Sequence, residues 1–313
     1  MKRNALLLLM IAAGAVLLLY PAFSDQWNKR HQSGVILDYV SEISEMDDST
    51  YASVLEYARE YNRKLAGQGT HFTMTEEEKG GYREALNLSE DGLMGFITID
   101  PIGVQLPVYH GTDKNVLQVG AGHVEWSSLP VVQELSAGKQ NDTAPDAVYG
   151  SHCVLSGHRG LPGSRLFTDL DRLQEGDRFS LTVLNETIEY AVDQIRVVTP
   201  DDVSELGIIP GMDLCTLVTC TPYGINTHRL LVRGRRMQTD LTEWKTAGSG
   251  DNGGKKNMVG IADAIRSADL PAFTDRIMET DPAWLILEAL AAVLAVFFAG
   301  VYAYRRRRWL CNA

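Results

Sequence analysis

Two apolar runs bracket the chain. Residues 5–23 are Leu-rich and follow Lys2 and Arg3. Residues 283–304 are again almost wholly apolar and run straight into Arg305, Arg306, Arg307 and Arg308. Each is close to the ~20 residues that a helix needs to cross a bilayer. Basic flanks stay on the cytoplasmic side, and both flanks lie at the outer ends of the chain. The pattern therefore predicts two membrane helices, both termini inside, and residues 24–282 outside. Ala22-Phe23-Ser24 also fits a small-residue cleavage site, so the first run is either a retained helix, the preferred reading, or a signal peptide. Either way the middle of the chain is exported. The four arginines read as a stop-transfer signal.

Between the runs the periodicity changes once. Residues 33–67 read as helical: Val35, Ile36, Tyr39, Val40 and Ile43 recur at helical spacing, as do Val54, Leu55, Ala58, Tyr61 and Leu65. Asp48 or Ser49 is expected to cap the second stretch and Gly67 to end it. Residues 67–81 are polar and read as a loop. From residue 92 the pattern shortens to β runs at 95–99, 104–108, 148–155, 179–184, 187–198, 214–219 and 230–232, parted by Gly, Pro, Asn and Asp turns. Short strands at such spacing predict a closed β-barrel. One short helix is expected after Pro162, over 166–170. The Gly-, Ser- and Asn-rich stretch 248–256 reads as a linker. The expected organisation is a helix or signal peptide at 1–24, a helical extension with a lid-like loop at 25–91, the barrel at 92–236, a linker at 237–282, a second membrane helix at 283–304 and a basic tail at 305–313.

Composition narrows the function classes. The chain has 313 residues, 45% hydrophobic and 22% charged, with a formal net charge of -11. An acidic balance argues against nucleic acid as a partner. No dinucleotide fingerprint, phosphate loop, zinc spacing or calcium loop occurs, so no cofactor and no metal is expected. Of the four cysteines, Cys311 falls on the cytoplasmic side. Cys153, Cys215 and Cys220 remain outside, an odd number whose left-over thiol is either paired between chains or reactive.

Cys220 ends the apolar run 216–220 and precedes Thr221-Pro222-Tyr223-Gly224, so it sits at a strand tip. A free cysteine is more often a small core residue, but the strand–turn junction favours chemistry. His158 stands in Leu155-Ser156-Gly157-His158-Arg159-Gly160, again where a β run meets a Gly-rich turn; alone, it is an ordinary loop histidine. Arg229 opens the next strand nine residues after Cys220; alone, it is a solvated arginine. Together they are more specific. A thiol becomes a nucleophile beside a base or a positive charge. An imidazole moves protons, and a guanidinium steadies an oxyanion or holds a peptide backbone. One of each at strand ends makes an acyl-transfer site.

The segments 155–162, Leu-Ser-Gly-His-Arg-Gly-Leu-Pro, and 216–234, which contains Thr219-Cys220-Thr221-Pro222-Tyr223-Gly224 and Thr227-His228-Arg229, resemble the signatures of sortases, and more narrowly of the class C, pilus-assembling sortases. Residues 106–112 and 122–130 resemble that class as well. The resemblance covers roughly residues 92–236. It implies a mostly β fold, a sortase-type closed barrel with short helices, a helical N-terminal extension and membrane helices at both ends. It implies cleavage of an LPXTG-like sorting signal between Thr and Gly through a Cys220 thioester. His158 would handle protons, Arg229 would steady the oxyanion, and Leu217, Thr219 and Asn226 would contact the substrate. The implied partners are LPXTG-type pilin or surface-protein substrates, an acceptor lysine of a pilin and the lipid bilayer. The implied location is the cell membrane of a Gram-positive cell, with the catalytic domain outside.

One departure stands out. Class C sortases commonly carry a lid with an Asp-Pro-aromatic motif, and residues 67–81 contain no Asp. Phe72 and Met74 are the lid candidates there, so the expected site is open or loosely plugged. Cys153 and Cys215 each lie five residues before a catalytic candidate, on strands expected to be neighbours. Two buried free thiols are the favoured reading over a disulfide. Rival functions are a housekeeping sortase that anchors proteins to peptidoglycan, a hydrolytic cysteine peptidase, and a non-enzymatic tethered scaffold.

Overall fold

The computed structural model of the protein describes residues 2–69, 71–89, 91–132 and 150–237. The expected linker beyond Met237, the second membrane helix at 283–304 and the basic tail lie outside the described residues. The chain divides into two compact units. Asp25–Arg266 carries the barrel, and residues 2–24 belong to the other.

Helix α1 spans Lys2–Glu45 with Pro21 inside it. Over Leu9–Glu45 it is long and apolar enough to cross a membrane by length and composition. Ile36, Tyr39, Val40 and Ile43 form its buried stripe, the i, i+3, i+4, i+7 pattern of an amphipathic helix. Helix α2, Asp48–Gln68, is capped by Asp47, one residue before the first expected cap, and ends at Gly69 instead of Gly67. The Asp47 carboxylate accepts from the backbone N–H of Ser49 and Thr50, and Gly69 ends the helix at φ 75°. Helix α3, Glu76–Glu84, occupies part of the stretch expected to be a loop. Its signal is the Thr75–Glu78 capping box, which the polar composition masked. These helices cover one side of the barrel. Tyr39 ties them down: its hydroxyl donates to the Met94 carbonyl at 2.9 Å and accepts from Leu184 N–H at 2.7 Å. Buried Asn62 exchanges two bonds with the Leu129 backbone, at 2.8 and 2.9 Å.

The eight strands among the described residues are β1 Leu93–Ile99, β2 Val104–His110, β3 Ala121–His123, β4 Ser151–Ser156, β5 Arg178–Val183, β6 Glu186–Val198, β7 Asp213–Thr221 and β8 His228–Arg236. They close in the order β1-β2-β3-β4-β7-β8-β6-β5, with β5 antiparallel to β1. The pairs β2/β3 and β4/β7 are parallel. Seven strands are foreseen by the sequence pattern. The eighth, β3, is three residues long, too short to show a period. A short helix, α4 Lys114–Val119, precedes it. The helix expected over 166–170 is a pair of turns running into a 3₁₀ turn at Leu170–Arg172.

Alternation assigns each strand residue to a face. Cys153 and Leu155 of β4, Cys215 and Leu217 of β7, and Leu230 and Val232 of β8 pack in the barrel core with Phe167 and Tyr190. Val154, Val218 and Leu231, from the same strands but of opposite parity, form a separate outer cluster with Leu206, flanked by Val124 and Trp126. The sheet β4-β7-β8 therefore has apolar residues on both faces.

Candidate active site

Three strand ends meet at one rim. Strands β4 and β7 run parallel in the register Ser156↔Val218. Gly157 N–H donates to the Val218 carbonyl at 3.0 Å, one step beyond the strand end. His158 is the next residue after Gly157, two past the end of β4, and Cys220 lies two residues past Val218 in β7. Strands β7 and β8 run antiparallel with Cys220 directly opposite Arg229. Adjacent strands are about 4.8 Å apart, so Cys220 and Arg229 are neighbours across β7 and β8, and His158 follows the end of β4, the other neighbour of β7. Cys220 shares parity with Val218 and Arg229 with Leu231. Cys220 and Arg229 therefore belong to the outer face, beside the outer apolar cluster, and His158 follows the end of the neighbouring β4. Each is partly buried, neither sealed in the core nor fully in solvent.

Local chemistry explains the turn that carries His158. A Cβ at Gly157 would lie 2.5 Å from the Phe167 ring, so only glycine lets the ring pass beneath the strand end. Phe167 N–H in turn donates to the His158 carbonyl at 3.1 Å. Gly160 has φ 75°, a left-handed conformation that glycine adopts without strain.

The Arg229 guanidinium folds over the β7–β8 turn. Its Nη1 donates to the carbonyls of His228 at 3.1 Å and Asn226 at 3.3 Å. No carboxylate pairs with it among the described residues. Asn226 is exposed at φ 61° and gives its backbone carbonyl to this contact.

Two residues expected to contact substrate are buried. Leu217 is fully buried in the barrel core, because its parity points it inward. Thr219 is also buried, and its hydroxyl donates to the Gly157 carbonyl at 2.7 Å. Both therefore support the strand ends from the inner side and have no access to a peptide on the outer face. The lid candidates have other partners. Phe72 stands edge-on to Trp126, with centroids 4.9 Å apart, and Met74 packs against the helix-side cluster around Tyr82. Cys153 and Cys215 are register partners, both buried and both free thiols. Burial pushes the Cys215 thiol well up from its usual range.

Arg159, beside His158 in the sequence motif, has a side chain only 9% exposed that pairs with Asp171. No periodicity marks such a residue. Its place directly after a candidate histidine was the one available signal.

The described arrangement has known counterparts. A Sortase domain family model matches residues 97–237. Sortase C1 from Streptococcus agalactiae is 47% identical with a TM-score of 0.58, over 66% of this chain and 99% of that one. Sortase C-1 from Streptococcus pneumoniae is 38% identical with a TM-score of 0.54, over 66% of this chain and 99% of that one. Sortase A from Streptococcus agalactiae serotype III (strain NEM316) is 31% identical over 157 residues, 50% of this chain. The chain spans 56% of that curated relative's length. With a closed eight-stranded barrel and near-complete coverage of a structure at 47% identity, the chain belongs to the sortase family, and its structural neighbours include class C sortases.

Proposed function

We propose that this protein is a membrane-anchored cysteine transpeptidase. It cleaves an LPXTG-like sorting signal between Thr and Gly and passes the acyl group to a lysine amine of a pilin. The observation that supports this reading is Cys220 directly opposite Arg229 on β7 and β8, with His158 just past the end of the neighbouring β4 and an apolar strip beside the strand ends. Cys220 Sγ attacks the Thr carbonyl carbon, and the thiol proton goes to His158. Arg229 Nη groups steady the oxyanion. The C–N bond to Gly breaks, His158 returns the proton to the leaving amine, and a thioester remains. The lysine amine then attacks the thioester carbonyl and gives its proton to His158. The C–S bond breaks and an isopeptide bond forms.

The site is open to a peptide in this reading. Met74 packs on the helices and Arg229 on backbone carbonyls, while Phe72 stands on Trp126 at the border of the apolar strip. Phe72→Ala should then leave peptide cleavage unchanged, and a many-fold rise would mean that Phe72 plugs the site. The main test is mass spectrometry of the full chain in detergent micelles after a sorting peptide is added. An acyl adduct on Cys220, discharged by a lysine-bearing pilin fragment, is expected. An adduct that only water discharges would make the protein a hydrolase. The curated relatives include proteins named Sortase A and Sortase D. Discharge by a cell-wall peptide amine in preference to the pilin lysine would therefore favour anchoring to peptidoglycan.

A further inference from the structure

Two side-chain hydrogen bonds stand on either side of the His158–Cys220 pair. On one side, Thr219 Oγ1 donates to the Gly157 carbonyl at 2.7 Å. On the other, Arg159 Nη1 donates to Thr221 Oγ1 at 3.2 Å. Thr219 and Thr221 flank the thiol in sequence, and Gly157 and Arg159 flank the imidazole. The last backbone bond between β4 and β7, Gly157 N–H to the Val218 carbonyl, falls before residues 158 and 220. Past that point side chains hold the two strand tips together.

Arg159 is an unusual way to close such a bracket. Its side chain is 9% exposed, and Asp171, its ion-pair partner, is 48% exposed. Its Nε is buried without a hydrogen-bond partner. Its guanidinium lies 6.0 Å from the centroid of the Tyr223 ring, and that same ring presses on Gly160, where a Cβ would meet it at 2.9 Å. A guanidinium taken out of water with one donor unsatisfied is not placed there for stability. Local conflicts of this kind concentrate where function needs a fixed geometry. Through Thr221 and Tyr223, Arg159 joins the β4 tip to the first residues of the β7–β8 turn.

We propose that Arg159 and Thr221 form a positioning bracket that, with Thr219, sets the separation of His158 from Cys220; this rests on those two residues being the acyl-transfer pair. The bracket touches no reacting atom. It acts through the imidazole and the thiol, whose proton exchange depends on their distance.

The test uses the full chain in detergent micelles, with Arg159→Met, Thr221→Val and Thr221→Ser compared with the unaltered protein and with Cys220→Ala. Sorting-peptide cleavage is measured as kcat and KM across pH, with a thermal midpoint for each variant. Arg159→Met and Thr221→Val should lower kcat roughly 10- to 100-fold with KM within about twofold, because small misplacements of reacting groups are expensive. The pH profile of kcat/KM should move in both, and Thr221→Ser, which keeps the hydroxyl, should recover most of the rate and the original profile. A folded Thr221→Val with unchanged kcat and pH profile overturns the bracket. So does a loss of rate that merely follows loss of folded protein while the profile stays put. If Arg159→Met does not fold, the two Thr221 variants still decide. Cleavage surviving in Cys220→Ala would instead overturn the catalytic reading underneath.

Discussion

Strands β4 and β7, with the residues just past β4, carry two pairs of potentially reactive side chains. Cys153 faces Cys215, and five residues further along each segment stand His158, just past the end of β4, and Cys220, near the end of β7. Five is odd, so Cys215 and Cys220 point to opposite faces of β7. The first is sealed in the barrel core and the second lies on the outer face at the rim. One strand pair thus makes an inert pair of thiols and a candidate catalytic pair about 16 Å apart along the strand. Parity and position decide which thiol can meet a substrate, and residue type alone does not.

The sharpest way to break this comparison is to remove each thiol in turn. Cys220→Ala should lower acyl transfer by about 10⁴-fold or more, as loss of a nucleophile commonly does. Arg229→Ala should cost about 10²- to 10³-fold, the usual effect of one oxyanion donor. Cys215→Ala should leave turnover within about threefold, since it lies on the other face and shares no partner with the site. Turnover would be followed with a quenched sorting peptide. Alkylation gives a second reading of the same contrast. In the folded protein a thiol reagent should label Cys220 alone among these three cysteines. Cys153 and Cys215 should label only in denaturant, because their thiols are buried and burial holds the Cys215 thiol protonated. Equal labelling of all three in the native state would dissolve the distinction between the faces.

Much of this arrangement was legible in the chain itself. The alternating runs foretold most of the barrel, because a strand with one face on the core must repeat every second residue. The junctions at Gly157-His158 and Cys220-Thr221 marked the strand tips, because Gly and Pro interrupt a ladder. What stayed hidden has physical reasons. Strand β3 is shorter than two periods. Helix α3 is so polar that only its capping box betrays it. Thr219 and Leu217, expected as substrate contacts, point inward because each is an odd number of residues from Cys220 on the same strand. Arg159 stayed unseen because its value lies in Thr221, Asp171 and Tyr223, which only the fold brings to it.

The smallest effect concerns two histidines of one segment. His158 stands just past the end of β4, whereas His152, within the strand, is fully buried, covered by the β6–β7 connection. Its Nδ1 lies 2.8 Å from the Gly207 carbonyl and its Nε2 2.7 Å from Thr216 Oγ1. That pattern fits a neutral ring, with Nδ1–H donating and Nε2 accepting. Burial pushes its pKa from the ordinary 6.5 down to about 4, with the nearby Arg233 charge acting in the same direction and Asp193 opposing it. A depressed histidine pKa means that the unfolded chain takes up the proton first. The stabilisation is therefore complete above about pH 6.5 and is lost as pH falls toward 4, by up to about 3 kcal/mol. Urea unfolding of the full chain in micelles at pH 7.5 and 4.5 should show this fall. His152→Gln should flatten the slope but not abolish it, because burial also lowers the pKa of His110. A slope that His152→Gln leaves untouched would mean that the β6–β7 connection does not shield this ring, and that rim and cover differ less along β4 than the two faces do.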